Sequence, residues 1–172
     1  MKRWYALRVR SRCEKKVAEA GRKKGYEEFL PLCGSHRRWS DRLKWVELPL
    51  FPGYVFFRID WEDRLPILRI DGALHFVGGG EKPVPLADSE IRAIQDVTAS
   101  RVAVGPYPFL EEGHRVRLRS GPLAGVEGLL VETDHGPHVA VSLHLLRLSM
   151  AFDIERRWLR PVSTMEAAAA LR

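Results

Sequence analysis

In this chain of 172 residues the side chains that could do chemistry are spaced in ways that argue against catalysis. The glycine run Gly78-Gly79-Gly80 lacks the Gly-Lys-Ser/Thr ending of a phosphate-binding loop and leads into an extended Lys82-Pro83-Val84-Pro85 segment, so it reads as a hairpin turn. The six histidines are scattered, and the nearest to a cluster, Asp134-His135 with His138, surrounds an expected turn with no third ligand close by in sequence. Cys33 and His36 have the spacing of half a zinc site but lack a second ligand pair, and Cys13 and Cys33 are too few for a disulfide framework. No serine or cysteine stands in a recognisable nucleophile setting, although a triad assembled only in space would leave no such signature. We expect no enzymatic activity, no metal and no cofactor.

Cations interleaved with aromatics are the other chemistry on offer. Arg8, Arg10 and Arg12, followed by Lys15 and Lys16, converge on one edge, and Arg37, Arg38, Arg42 and Lys44 form a second group around Trp39 and Trp45. Guanidinium groups suit phosphate and aromatic faces suit unstacked bases, so the pattern fits single-stranded or backbone binding. A solvated hairpin whose tryptophans cap the core fits it equally well. Net charge is +6, and residues 1–60 hold 15 Lys and Arg against 7 acids while the remaining 112 hold 13 against 15. A positive field concentrated in the first third suggests a polyanionic partner, with a basic surface kept for solubility as the alternative.

The elements that must position these groups are organised around Leu50-Phe51-Pro52-Gly53-Tyr54-Val55-Phe56-Phe57-Arg58. Aromatic and β-branched residues from Tyr54 onward predict a central strand, and Pro52-Gly53 places a turn at its entrance, because proline gives no ladder N–H and glycine accepts backbone angles other residues resist. Alternation puts Tyr54, Phe56 and Arg58 on one face and Val55, Phe57 and Ile59 on the other. Both faces are mostly apolar, so one fills a core and the other asks for helices or a partner.

Around that strand, residues 3–10 alternate as a strand, and Ser11 to Glu14 has the spacing of a capping box opening a helix over residues 12–24 that Gly25 closes. Residues 26–33 are strand-like until Pro31, and residues 35–48 read as a hairpin turning at Ser40-Asp41. A short helix near Pro66, a strand over 73–77 and a helix that Asp88 caps, with Ile91, Ile94 and Val97 on one side, complete an alternating α/β half. Residues 99–110, with Gly105-Pro106-Tyr107-Pro108, have no periodicity and read as a linker. Beyond it come only short strands, at residues 115–119, 127–132, 138–143, 148–154 and 158–162, with the spacing of a small barrel, and residues 164–172 read as a frayed tail. The fold class expected is α+β, an antiparallel sheet flanked by helices followed by a small all-β barrel, divided at 1–98, 99–110 and 111–163. With no signal-like start and no apolar run approaching roughly 18 residues, the chain is expected to be a cytoplasmic monomer without membrane contact.

The segment running from Glu112-Gly113-His114-Arg115 through Gly121-Pro122 to Gly125-Val126-Glu127-Gly128 resembles a KOW motif of an SH3-like barrel. Trp4-Tyr5-Ala6-Leu7, Phe29-Leu30-Pro31, Leu50-Phe51-Pro52-Gly53-Tyr54-Val55, Phe76-Val77-Gly78-Gly79 and Lys82-Pro83-Val84-Pro85-Leu86 fall in the order and spacing of the N-terminal (NGN) domain of the NusG family, and the resemblance spans residues 3–163. It implies a transcription elongation factor whose apolar pocket receives the clamp helices of the largest RNA polymerase subunits across the DNA cleft. On that resemblance Tyr54 and Phe56 line the pocket, with Leu50, Phe51, Pro52 and Gly53 supporting it. Arg10 and Arg12, with Arg8, approach the non-template DNA strand, and Arg37 and Arg38 belong to the same nucleic-acid set. The KOW domain is the family's variable coupler to termination factor Rho, a ribosomal protein or other factors.

Two departures follow. Where housekeeping members carry a Phe-Gly-Arg loop, this chain has His144-Leu145-Leu146-Arg147, which argues against Rho and points these four residues, with two exposed leucines, at another partner. Asp71, before Gly72, stands where some specialised relatives have a basic residue and weakens a DNA contact there. The chain is thus expected to resemble a specialised paralogue, of the RfaH or polysaccharide-operon antiterminator type, that suppresses pausing or termination on a restricted set of operons. The competing reading is an RNA- or ribosome-binding KOW protein without polymerase binding, which leaves the apolar outer face of the Tyr54 strand without a reason.

Overall fold

The computed structural model describes residues 1–39, 42–78, 83–100, 102–110, 113–134 and 136–161, with the side chains of 36–39, 42–44, 156, 160 and 161 excepted. The expected turns at Ser40-Asp41, Gly79-Gly80 and His135, the residue Lys82 and the tail at 164–172 lie outside the described residues. The chain forms two compact units, Met1–Arg92 with Leu143–Leu146, and Ala93–Ser142 with Arg147–Arg172.

In the first unit, β1 (Arg3–Val9), β2 (Glu27–Phe29), β5 (Tyr54–Ile59) and β6 (Ala73–Phe76) make an antiparallel sheet in the order β2-β5-β1-β6. The strand expected to be central is central: β5 pairs with β1 from Tyr54 opposite Arg8 to Ile59 opposite Arg3, and with β2 on its other side. Alternation works as read, since Val55, Phe57 and Ile59 join Tyr5, Leu7 and Val9 in one core with Val17 and Ala18 of α1 (Glu14–Lys23) and Ile67 of α2 (Leu65–Leu68). Gly21 lets α1 lie directly on this core, because a Cβ there would sit 2.3 Å from Phe57 Cε1. Gly25, at φ 82°, ends α1 as expected, and the bonds from Gly25 N to Arg22 O and from Tyr26 N to Gly21 O form a Schellman closure.

The start of α1 is a correction. Ser11 does not cap it: the helix begins at Glu14, Cys13 is the N-cap without a side-chain bond, and Arg12 occupies positive φ at 65°. Glu14 therefore spends its carboxylate elsewhere. The expected hairpin forms and is longer than read, with β3 (Leu32–Trp39) antiparallel to β4 (Arg42–Pro49) over eight residue pairs in a two-stranded sheet of its own. Helix α3 (Asp88–Ala99) contains Asp88 as its first residue and buries Ile91, Ile94 and Val97.

Among the described residues, the second unit is all β apart from the helical residues at its start and a short 3-10 turn at Arg156–Trp158. Its sheet runs β12 (Leu159–Pro161), β8 (His114–Leu118), β9 (Glu127–Thr133), β10 (Gly136–Leu143), β11 (Leu148–Asp153) and β7 (Val104–Tyr107). The first five match the strands expected from the sequence, and Val116, Leu118, Val139, Val141, Met150 and Phe152 are buried. Strand β7 corrects the linker reading: Gly105-Pro106-Tyr107 looks like a turn locally, but Val104 to Tyr107 pair with Phe152 to Ser149. Pro106 is tolerated because β7 is an edge strand that need not donate outward.

Candidate functional site

The corner that enters β5 is closed as a β-turn by Tyr54 N–H donating to Phe51 O at 3.2 Å, with Pro52 and Gly53 at the two central positions. Gly53 has φ 83°, the value a type II turn requires at its second central residue. Both polar backbone groups of Gly53 are used: its N–H donates to Glu14 Oε1 at 2.8 Å, and its carbonyl accepts from Val9 N–H at 2.9 Å. Arg8, beside the turn on β1, stacks its guanidinium 4.7 Å from the Tyr54 ring centroid. The same guanidinium lies so close to Gly53 that a Cβ would meet Arg8 Nη1 at 2.6 Å.

Of the residues expected to line a docking pocket, only Tyr54 is half-exposed; Phe56 and Leu50 are 0 % and Phe51 2 % exposed, and Pro52 is exposed at the turn. Phe56 stands edge-on to Phe51 at 6.2 Å and tilted against Phe29 at 6.2 Å, and Phe29 in turn meets Trp4 at 6.4 Å. The second face of the sheet thus carries its own aromatic cluster. Alternation identifies the face but not what covers it, so Phe56 is found as packing beneath the corner rather than as an outward contact.

The basic edge begins where the corner is held. Arg10 and Arg12 are exposed, and backbone bonds from Arg10 N–H to Gly72 O and from Cys13 N–H to Arg10 O fold the chain between them. Asp71 sits among these cations, 2.5 Å from Lys16 Nζ and 3.6 Å from Arg10 Nη1. The hydrogen bond and charge of Lys16, then the charge of Arg10, hold the Asp71 carboxyl below its ordinary value, and Asp71 raises the Lys16 ammonium in return. Arg8, expected beside them, is half-buried against Tyr54 and serves the corner. Arg37 and Arg38 lie on β3 opposite Lys44 and Leu43, with their side chains outside the described residues. On the same hairpin Trp45 is 59 % exposed and lies across Gly34, where a Cβ would be 1.8 Å from Cζ2.

His144, Leu145 and Leu146 form a single 3-10 turn, and Arg147 follows at φ 51° with its guanidinium 4.9 Å from the Phe109 ring centroid. His144 and Arg147 are exposed, while the two leucines are half-buried rather than exposed as expected. Glu14 is a side chain of this corner that sequence reading assigned to the wrong partner, the capping box with Ser11. Its contact with Gly53 spans 39 positions, beyond any local motif. Among the described residues no three His, Cys, Asp or Glu side chains are grouped to hold a metal, and no helix is long and apolar enough to cross a membrane.

Comparison with known proteins agrees with this architecture. The family described as "Transcription termination factor nusG" matches residues 2–95. The "Transcription termination/antitermination protein NusG" of Borreliella burgdorferi is 27% identical over 159 residues, covering 77% of this chain and 83% of that protein. Its counterpart from Helicobacter pylori strain J99 is 34% identical over 97 residues, 55% of each chain. A solved structure described as "Domain interaction in Thermotoga maritima NusG" superposes with a TM-score of 0.57 at 24% identity, covering 95% of this chain and 98% of that one, a likeness of fold.

Proposed function

The chain belongs to the NusG family of transcription termination/antitermination factors, and from that premise we propose that it docks on RNA polymerase through the Pro52-Gly53-Tyr54 corner. The partner is the pair of clamp helices of the largest subunits, met by Tyr54 with Pro52 and Gly53 around it, and the factor suppresses pausing or termination by bridging the DNA cleft. Residues 1–98 act as the polymerase-binding NGN domain and 111–163 as the KOW domain. The observation that carries the reading is the corner itself: a half-exposed aromatic ring, stacked on Arg8, beside a turn whose backbone is hydrogen-bonded on both sides. Leu50, Phe51 and Phe56 act from below, as the buried floor that fixes the turn.

Arg10 and Arg12 face the non-template strand, and Asp71 tempers their charge. Arg37 and Arg38, on β3, belong to the same nucleic-acid-binding set. In the KOW domain, His144 and Arg147 present the exposed atoms of a loop that differs from the housekeeping Phe-Gly-Arg form, which favours a specialised role on a restricted set of operons and a partner other than Rho. The test is co-purification of the full chain with RNA polymerase followed by an in vitro pausing assay. The wild type is expected to be retained and to shorten pauses, and Tyr54→Ala to lose both effects. Retention unaffected by Tyr54→Ala would refute the corner as the docking site.

A further inference from the structure

Glu14 is a buried charged residue, at 5 % exposure, and its Oε1 accepts the Gly53 N–H at 2.8 Å. It stands at the first position of α1, immediately after the turn that bears Arg10 and Arg12. That turn is itself held to Gly72 through Arg10 N–H, and to Gly53 through Val9 N–H. Gly53 therefore lies between two bonds from the same stretch of chain, one from the end of β1 and one from the start of α1. We propose that Glu14 is a positioning residue that locks the basic turn to the Tyr54 corner, so that the protein-facing and nucleic-acid-facing surfaces are presented as one rigid piece. A side-chain oxygen at this reach satisfies the Gly53 N–H, and a buried amide deprived of its acceptor is costly to leave unpaired. An acidic group in the first turn of a helix is also favoured by the helix dipole, which gives Glu14 a purely structural role to be separated from positioning.

Reach separates the two roles. Glu14→Gln keeps an acceptor oxygen at the same distance and removes the charge; Glu14→Asp keeps the charge and falls one methylene short. Positioning ranks Gln above Asp, whereas a helix-dipole role ranks Asp above Gln. This inference rests on the docking reading for its consequence but not for its first measurement, which is amide hydrogen exchange of Gly53 in the full chain by nuclear magnetic resonance. Loss of the bond is expected to speed Gly53 exchange by about tenfold or more in Glu14→Asp and in Glu14→Ala, with Glu14→Gln close to wild type and the amides of β1 and β5 still protected in all three. The second measurement is affinity for RNA polymerase, expected to fall about tenfold with Glu14→Asp and to stay within about threefold of wild type with Glu14→Gln. Gly53 exchange that ranks Asp with wild type and Gln with Ala overturns the proposal, as does a Glu14→Asp chain that binds like wild type while the wild type binds well. If the wild type itself does not bind polymerase, the docking reading falls, and the exchange ranking alone decides for or against the latch.

Discussion

Tyr54 and Phe56 lie two positions apart on the same face of β5, yet burial separates what their removal does. Phe56 is fully enclosed by rings that include Phe29 and Phe51, so Phe56→Ala is expected to destabilise the chain by about 3–5 kcal/mol, read as a lowered urea midpoint. Tyr54 is half-exposed, so Tyr54→Ala should leave that midpoint nearly unchanged while weakening polymerase binding by about 2 kcal/mol or more. Equal loss of stability in the two variants would mean that Tyr54 is part of the core. Asp71 invites a titration. Its lowered carboxyl and the raised Lys16 ammonium mean that their bridge contributes fully between the two ordinary values; the contribution fades as pH falls through the lowered Asp71 value or rises through the raised Lys16 one. Carboxyl carbon shifts should show Asp71 titrating below the other exposed aspartates, and Lys16→Ala should move it back up. Asp71→Asn is expected to free Arg10 for phosphate, tightening nucleic-acid binding and steepening its salt slope by up to about one, whereas Arg10→Ala with Arg12→Ala should flatten it.

At the level of elements, helix α1 and strand β5 show where local and tertiary demands part. Gly21 lies in the last turn of α1, where alanine would favour the helix by up to about 1 kcal/mol, but the place of its missing Cβ is occupied by the Phe57 ring. Gly21→Ala is therefore expected to destabilise, and thermal unfolding of that variant gives the sign. Strand β5, the hairpin of β3 and β4 and the glycine closure of α1 were legible because each is written in neighbouring residues: aromatic alternation, paired runs around a turn, and a glycine after the last helical turn. The start of α1 was not, because Arg12 adopts φ 65° and turns the chain away from the capping box that Ser11 and Glu14 spell out. Strand β7 was hidden for a related reason. Gly105 and Pro106 signal a turn locally, and only their pairing with Ala151 and Met150, contributed from the far end of the unit, makes them a strand.

For the whole molecule, the order of motifs revealed an α/β unit followed by an all-β one, and with them the family, but the site was only half visible. Sequence placed these residues on one corner and misjudged their depth: Leu50, Phe51 and Phe56 are the floor, Tyr54 the surface, and Arg8 belongs with Tyr54 rather than with the exposed cations Arg10 and Arg12. Depth depends on what the other strands and their aromatics bring over a residue, which no window around Phe56 contains. The account stands on the claim that this corner meets RNA polymerase, and the most direct measurement is site-specific photo-crosslinking from position 54 of the full chain in an assembled elongation complex. The account predicts adducts to the largest subunits that map to the clamp helices, and none from a probe at the exposed Glu62 of the same unit. Adducts from position 54 that map elsewhere, or a complex that forms with no adduct from position 54, would contradict it.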